Sequence, residues 1–137
     1  MSLTIFVYGT LRGGEANDLA LAAARAGLPP PQALGPARVP GRLVDFGDWP
    51  GLLPDGPGTV LGDLYAVDPS LVALMDAIEE YTPDAPCCFV RRPVQARTAA
   101  GPVDCQYYPI DPAFRGQARD IPGDDWIAWR RQRRHQA

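Results

Sequence analysis

The chain has 137 residues, of which 46% are apolar and 21% charged, with a net charge of −3. That is the profile of one globular domain spanning 1–137, large enough to bury a core. The acidic balance argues against a general nucleic-acid binder, and no apolar run approaches the about 20 residues that cross a bilayer. The first residues lack a basic, apolar leader pattern, so a cytoplasmic protein is expected, with no nucleic-acid or membrane partner and a monomer as the default.

Residues 3–8 (LTIFVY) are β-branched and aromatic and run straight into Gly9, a strand ending in a turn. Asn17 precedes DLALAAARA, with Gly27 and three prolines behind it, which predicts a capped helix with a stop. Residues 38–46 and 58–67 read as strands, the second alternating Val60, Gly62 and Leu64 against Leu61, Asp63 and Tyr65. The segment between them, GDWPGLLPDGPG, reads as a turn-rich loop around Trp49. Asp68-Pro69 opens a second helix that runs to about Tyr81 and stops at Pro83. Residues 88–97 and 102–108 form a further strand pair, with Pro93 at an edge or a bulge. Beyond Asp124, two tryptophans followed by RRQRR suggest a short helix and a solvated tail. Helices interrupting mostly antiparallel strands imply an α+β fold, with the sheet curling into a barrel.

The residue inventory narrows the chemistry. There is no lysine, so all 13 basic side chains are arginine, and the single histidine is His135 near the C-terminus. Schiff-base chemistry, a P-loop lysine, a histidine-assisted nucleophile and histidine zinc sites are thereby disfavoured. Cys87, Cys88 and Cys105 have neither zinc-ligand nor disulfide spacing and are expected to be buried thiols. Proton transfers must then rest on a carboxylate or a tyrosine. No metal and no cofactor is expected.

Only three glutamates occur, Glu15, Glu79 and Glu80. At about 100 degrees per residue, Leu71, Leu74, Met75 and Ile78 form the apolar stripe of the second helix. Glu79 falls about 40 degrees beyond Met75 and borders that stripe, while Glu80 points away. A carboxylate against apolar side chains has a raised pKa suited to proton transfer near neutrality. The wheel alone leaves open that Glu79 merely rims the helix. Similarly, the turn Tyr8-Gly9-Thr10-Leu11-Arg12-Gly13-Gly14 offers either an anion-binding nest of backbone N–H groups or a plain structural turn. Phe89, Arg91, Tyr107 and Tyr108 read, one by one, as packing residues.

Taken together these segments carry a resemblance. The Tyr8–Gly14 turn, then Leu74-Met75-Asp76-Ala77-Ile78-Glu79-Glu80-Tyr81, then Phe89-Val90-Arg91, resemble the gamma-glutamylcyclotransferase-like family, nearest its small gamma-glutamylamine cyclotransferase-like branch. Gly41-Arg42-Leu43, Trp49-Pro50-Gly51-Leu52, Val60–Tyr65 and Pro122–Trp126 add to the match, which covers nearly the whole chain. The resemblance implies a small β-barrel with flanking helices and a cavity at its mouth. It implies that Tyr8, Gly9, Thr10 and Leu11 bind substrate and that Glu79, on the pattern D-x-x-E, is catalytic. It further implies a cofactor-free release of 5-oxoproline and an amine from a small γ-glutamyl amine or amide. The alternative is a metabolite-binding module on the same fold. Two positions depart from the pattern: Glu80 stands where relatives often have Gly, and Phe89 where they often have Tyr.

Overall fold

The apolar run near the N-terminus forms β1 (Leu3–Val7), and both of its faces are covered. Phe6 faces a cluster with Val39, Val60, Leu64, Ala96 and Tyr107. Ile5 and Val7 face a second cluster with Leu19, Leu71 and Met75. A strand buried on both sides needs no polar alternation, which is why this one reads as continuous apolar sequence. The computed structural model describes residues 3–12, 18–47, 49–82 and 87–136.

The first cluster fills a closed five-stranded barrel. Around it run β1, β5 (Thr59–Val67), β2 (Gln32–Pro40), β6 (Arg92–Thr98) and β7 (Gly101–Tyr107), in that order. Every pairing is antiparallel except the closing one, where β1 lies parallel to β7 at Ile5 and Gln106. The expected α+β barrel is therefore present, and β5 places Val60, Gly62 and Leu64 inward as its alternation predicts.

Residues 38–46 are not one strand. The backbone turns at Gly41, whose φ of 142° favours glycine. There β2 leaves the barrel, and β3 (Arg42–Asp45) enters a separate three-stranded sheet. A Cβ at Gly41 would lie 2.7 Å from the Leu53 carbonyl oxygen. The segment expected to be a loop supplies β4 (Pro50–Leu53), paired antiparallel with β3, and β8 (Arg119–Asp120) completes the sheet. β2 also begins earlier than expected, running through Gly35 and Pro36 by a bulge.

Three helices flank this frame. α1 (Leu19–Arg25) is capped by Asp18, whose carboxylate accepts hydrogen bonds from the Ala20 and Leu21 N–H groups. The expected cap Asn17 lies outside the described residues, as do Gly13, Gly14 and Pro83. α3 (Trp126–Gln136) corrects the picture of a solvated arginine tail. Arg133 pairs with the buried Asp45 at 2.8 Å, donates to the Gly47 carbonyl and lies over the Trp126 ring. Trp129 donates to the same carboxylate at 2.8 Å. A buried carboxylate needs such partners, and local sequence does not reveal where they come from.

α2 (Pro69–Ile78) starts as expected, with Asp68 as cap and Pro69 first, but stops short of Tyr81. Glu79 is the C-cap, and Glu80 follows at φ 55°, in the left-handed region. The N–H of Tyr81 donates to the Asp76 carbonyl and that of Glu80 to the Ala77 carbonyl. This is a Schellman motif, whose left-handed position usually holds Gly. Glu80 thus occupies the place in the helix end where a side chain is strained and a glycine would not be. Replacing it, Glu80→Gly, is expected to stabilise the protein by about 1 kcal/mol, or about 4 °C in Tm. Thermal unfolding checks this, and an unchanged or lower Tm would contradict the assignment of strain.

Candidate active site

A cavity of about 660 Å³ opens where the β1 turn meets the end of α2. The remaining walls come from the segment Cys87–Phe89, from Tyr108, and from Trp49, Pro50 and Phe114 on the side of the second sheet. Its size suits a small molecule. All five residues singled out by the sequence, Tyr8, Gly9, Thr10, Leu11 and Glu79, line it.

The turn after β1 is rigidly held. The Arg12 N–H closes on the Gly9 carbonyl at 3.1 Å, and the Leu19 N–H donates to the Leu11 carbonyl. The Arg12 side chain is buried and reaches Asp63 and Asp125, both at 3.0 Å, so it ties the turn to β5 and to the start of α3. Leu11 buries its side chain in the cluster between β1 and the helices. Gly9 has a reason the sequence did not disclose. A Cβ there would lie 2.6 Å from Cγ of Pro50, so glycine is what lets β4 pack against the turn. Among the described residues, the N–H groups of Gly9 and Leu11 have no backbone acceptor.

Tyr8 is buried and its hydroxyl donates to the Tyr108 carbonyl at 2.7 Å. Burial, reinforced by the Glu79 charge, pushes its pKa well up. It therefore stays a protonated phenol, with its proton committed to the Tyr108 carbonyl and its oxygen backed by the Leu52 backbone.

Glu79 is half-buried and Glu80 exposed, as the helical wheel expected. Burial raises the Glu79 pKa from its ordinary 4.5 to about 7. No hydrogen bond or ion pair from a described residue neutralises it. The contrast with Asp76, one turn earlier in α2, is instructive. Asp76 accepts from the Tyr108 hydroxyl at 2.5 Å and from Arg91 at 3.1 Å, so its charge is matched. Of the two acids in D-x-x-E, Asp76 is tied into a network with Tyr108 and Arg91, and Glu79 faces the cavity without such partners among the described residues.

Tyr108 and Arg91 are the residues that one-by-one reading undervalued. β7 ends at Tyr107, so strand alternation no longer fixes where Tyr108 points. Tyr107 joins the barrel interior, whereas Tyr108 forms cavity wall. No local signal marks it, because its partner Asp76 lies 32 residues away in the chain. Phe89 lines the cavity and offers no hydroxyl there.

The three cysteines are free; Cys87 and Cys105 are buried, and Cys88 is only partly so. Burial first, and the Glu79 charge second, hold the Cys88 thiol protonated, and Cys105 is pushed up to about 11. Neither is an activated thiolate. Among the described residues, no three His, Cys, Asp or Glu side chains are grouped to hold a metal ion, and no helix is long and apolar enough to cross a membrane.

Comparison with known proteins agrees with this arrangement. A family model described as gamma-glutamyl cyclotransferase, AIG2-like, matches residues 5–128. A Vibrio cholerae protein provisionally named a gamma-glutamylcyclotransferase is 37% identical over 82 residues, 58% of this chain and 64% of that one. The chain superimposes on the crystal structure of an AIG2-like protein from Mus musculus with a TM-score of 0.67 and 25% identity. That match covers 89% of this chain and 90% of the mouse protein. YkqA from Bacillus subtilis shares the fold with a TM-score of 0.75 and 22% identity, over 98% of this chain but 43% of that larger one. The chain thus spans less than two-thirds of the Vibrio relative and less than half of the Bacillus one. With its barrel, its turn and its acidic helix end all inside the matched residues, the chain belongs to the gamma-glutamyl cyclotransferase, AIG2-like family.

Proposed function

We propose that the protein is a cyclotransferase that converts a small γ-glutamyl amide into 5-oxoproline and a free amine, with Glu79 as general base and then general acid. The observation that carries this reading is a half-buried carboxyl with a pKa of about 7 and no counter-charge, on the wall shared with the Tyr8–Leu11 turn. Family membership supports the reaction class.

The substrate's own α-amine is the nucleophile. Glu79 removes a proton from the α-ammonium, a transfer for which its raised pKa of about 7 makes it a better base than an ordinary carboxylate. The amine nitrogen attacks the γ-carbonyl carbon and a five-membered ring closes. As the amide C–N bond breaks, the departing nitrogen takes that proton from Glu79, and the ring nitrogen, cationic after its attack, passes its second proton through the same carboxyl, so the lactam leaves neutral and the amine leaves as an ammonium. No water is consumed, and Glu79 ends as it began. Because the attack is intramolecular, much of the entropic barrier, up to about 7–11 kcal/mol, is absent once the chain is held bent. The Gly9 and Leu11 N–H groups suit the α-carboxylate, and Tyr8 and Thr10 complete that wall of the cavity. No nucleophilic serine, cysteine or lysine is required, in keeping with the residue inventory.

Glu79→Gln is expected to lower kcat/KM by roughly 10²–10⁴, the usual effect of losing one general acid-base. Chromatographic detection of 5-oxoproline from γ-glutamyl amides checks it. Binding without product in the unaltered protein would favour the metabolite-binding module instead. Because the ionised form starts the reaction, kcat/KM should climb with pH along an acid limb centred near 7.

A substrate-free measurement reads the same carboxyl. The folded state binds the Glu79 proton more tightly than the unfolded state, so this group favours folding most below about pH 4.5, and that contribution fades as pH rises through about 7. Glu79→Gln should flatten the decline and be about 2 kcal/mol more stable than the parent at pH 8, a figure reduced from the full shift because the carboxyl opens to the cavity. Denaturant unfolding at pH 4, 6 and 8 (~2-unit steps) tests it. Parallel pH profiles for the two proteins would remove the raised pKa.

A further inference from the structure

The amine half of the substrate must lie on the cavity wall away from the Tyr8–Leu11 turn, and that wall has a distinct chemistry. Trp49 and Phe114 both line it, yet 46% and 39% of their surfaces are exposed. Trp49 stands at the β3–β4 turn, and Phe114 ends the 3-10 turn Pro112–Phe114, so both are supplied by backbone outside the barrel. Aromatic faces left in water at a cavity mouth are suited to alkyl chains and, through the ring quadrupole, to cations.

Among the described residues, the charged side chains that line the cavity are Glu79 and Glu80, and no arginine lines it. Arginines close in sequence to the lining residues are paired elsewhere: Arg12 to Asp63 and Asp125, Arg91 to Asp76 and the Tyr81 ring, and Arg115 to Asp120. Glu80 is exposed, and no described residue gives its carboxylate an ion pair or hydrogen bond. Its left-handed backbone is strained, yet what stands there is a charged side chain at the cavity mouth.

Resting on the cyclotransferase reading above, the geometry points to a subsite formed by Trp49, Phe114 and Glu80 that selects γ-glutamyl amides whose amine half carries a second, free ammonium group, as a monoacylated diamine does. The glutamyl half occupies the Tyr8–Leu11 turn and Glu79. The alkyl chain of the amine crosses the aromatic faces, and its terminal ammonium meets the Glu80 carboxylate. A neutral alkyl amide keeps only the aromatic contact. An amide whose amine half ends in a carboxylate meets repulsion from Glu80.

Three probes of matched length separate these cases: γ-glutamylcadaverine, its neutral isostere γ-glutamylhexylamine and the anionic γ-glutamylaminohexanoate. Their kcat/KM values should fall in that order, with the cationic probe about tenfold better than the neutral one at low salt. The preference should shrink at high salt. Glu80→Gln should bring the cationic-to-neutral ratio close to one, and Glu80→Gly, which also relieves the backbone, should do the same in a fully folded protein. A ratio at or below one in the parent protein, or a ratio unchanged in both variants, overturns the subsite. If none of the probes yields 5-oxoproline, the cyclotransferase reading fails separately. Calorimetric binding of the same three molecules then decides the subsite by the same order of affinity.

Discussion

A carboxyl group taken partly out of water and given no cation holds its proton more tightly, and the end of α2 imposes that condition on Glu79. The surroundings make it specific. Asp76 in the same helix is matched by Arg91 and Tyr108, Asp45 by Arg133 and Trp129, and Asp63 and Asp125 by Arg12. These cations are committed to other acids, so the cavity keeps an unmatched carboxyl facing it. What makes Glu79 useful is as much where the arginines went as where the glutamate sits.

The rest of the fold holds that group against the turn after β1. β1 is packed on both faces and so has little freedom to shift its C-terminal end. Arg12 pins the turn from behind, and Pro50 packs on Gly9 from the side. Pro50 belongs to the second sheet, which carries Trp49 to the cavity mouth. That sheet is in turn anchored through Asp45 to α3. A helix at the far end of the sequence, rich in arginine, thereby helps to fix a wall of the cavity without touching it. Of its arginines, Arg133 is engaged with the protein itself through Asp45.

The two departures from the family pattern have different physical weights. Phe89 leaves the cavity wall without a hydroxyl, but the Arg91 beside it keeps its grip on Asp76, so the network that orders the helix end survives. Glu80 changes both the backbone and the field: it strains the Schellman turn and adds a negative charge at the mouth. The first departure leaves an apolar ring on the cavity wall, and the second puts a carboxylate at the cavity mouth.

The sequence by itself determined much of the frame. Periodicity exposed β1, β5 and α2, the Asp68-Pro69 cap began α2 at its true start, and the wheel separated Glu79 from Glu80. These are local properties, set by side-chain alternation and capping within a few residues. It did not reveal the break at Gly41, the pairing of β4 with β3, or the role of Arg133, because each depends on a partner distant in the chain. Gly9 was legible as a permissive residue, but Pro50, about forty residues on, decides why it must be glycine. The same holds for the site. Residue types and spacing named the carboxyl and the turn, whereas only the tertiary structure decided that Asp76 would be paired with Arg91 and Tyr108 and Glu79 would not, since partners and burial are set by what surrounds a group in space rather than by its neighbours in sequence.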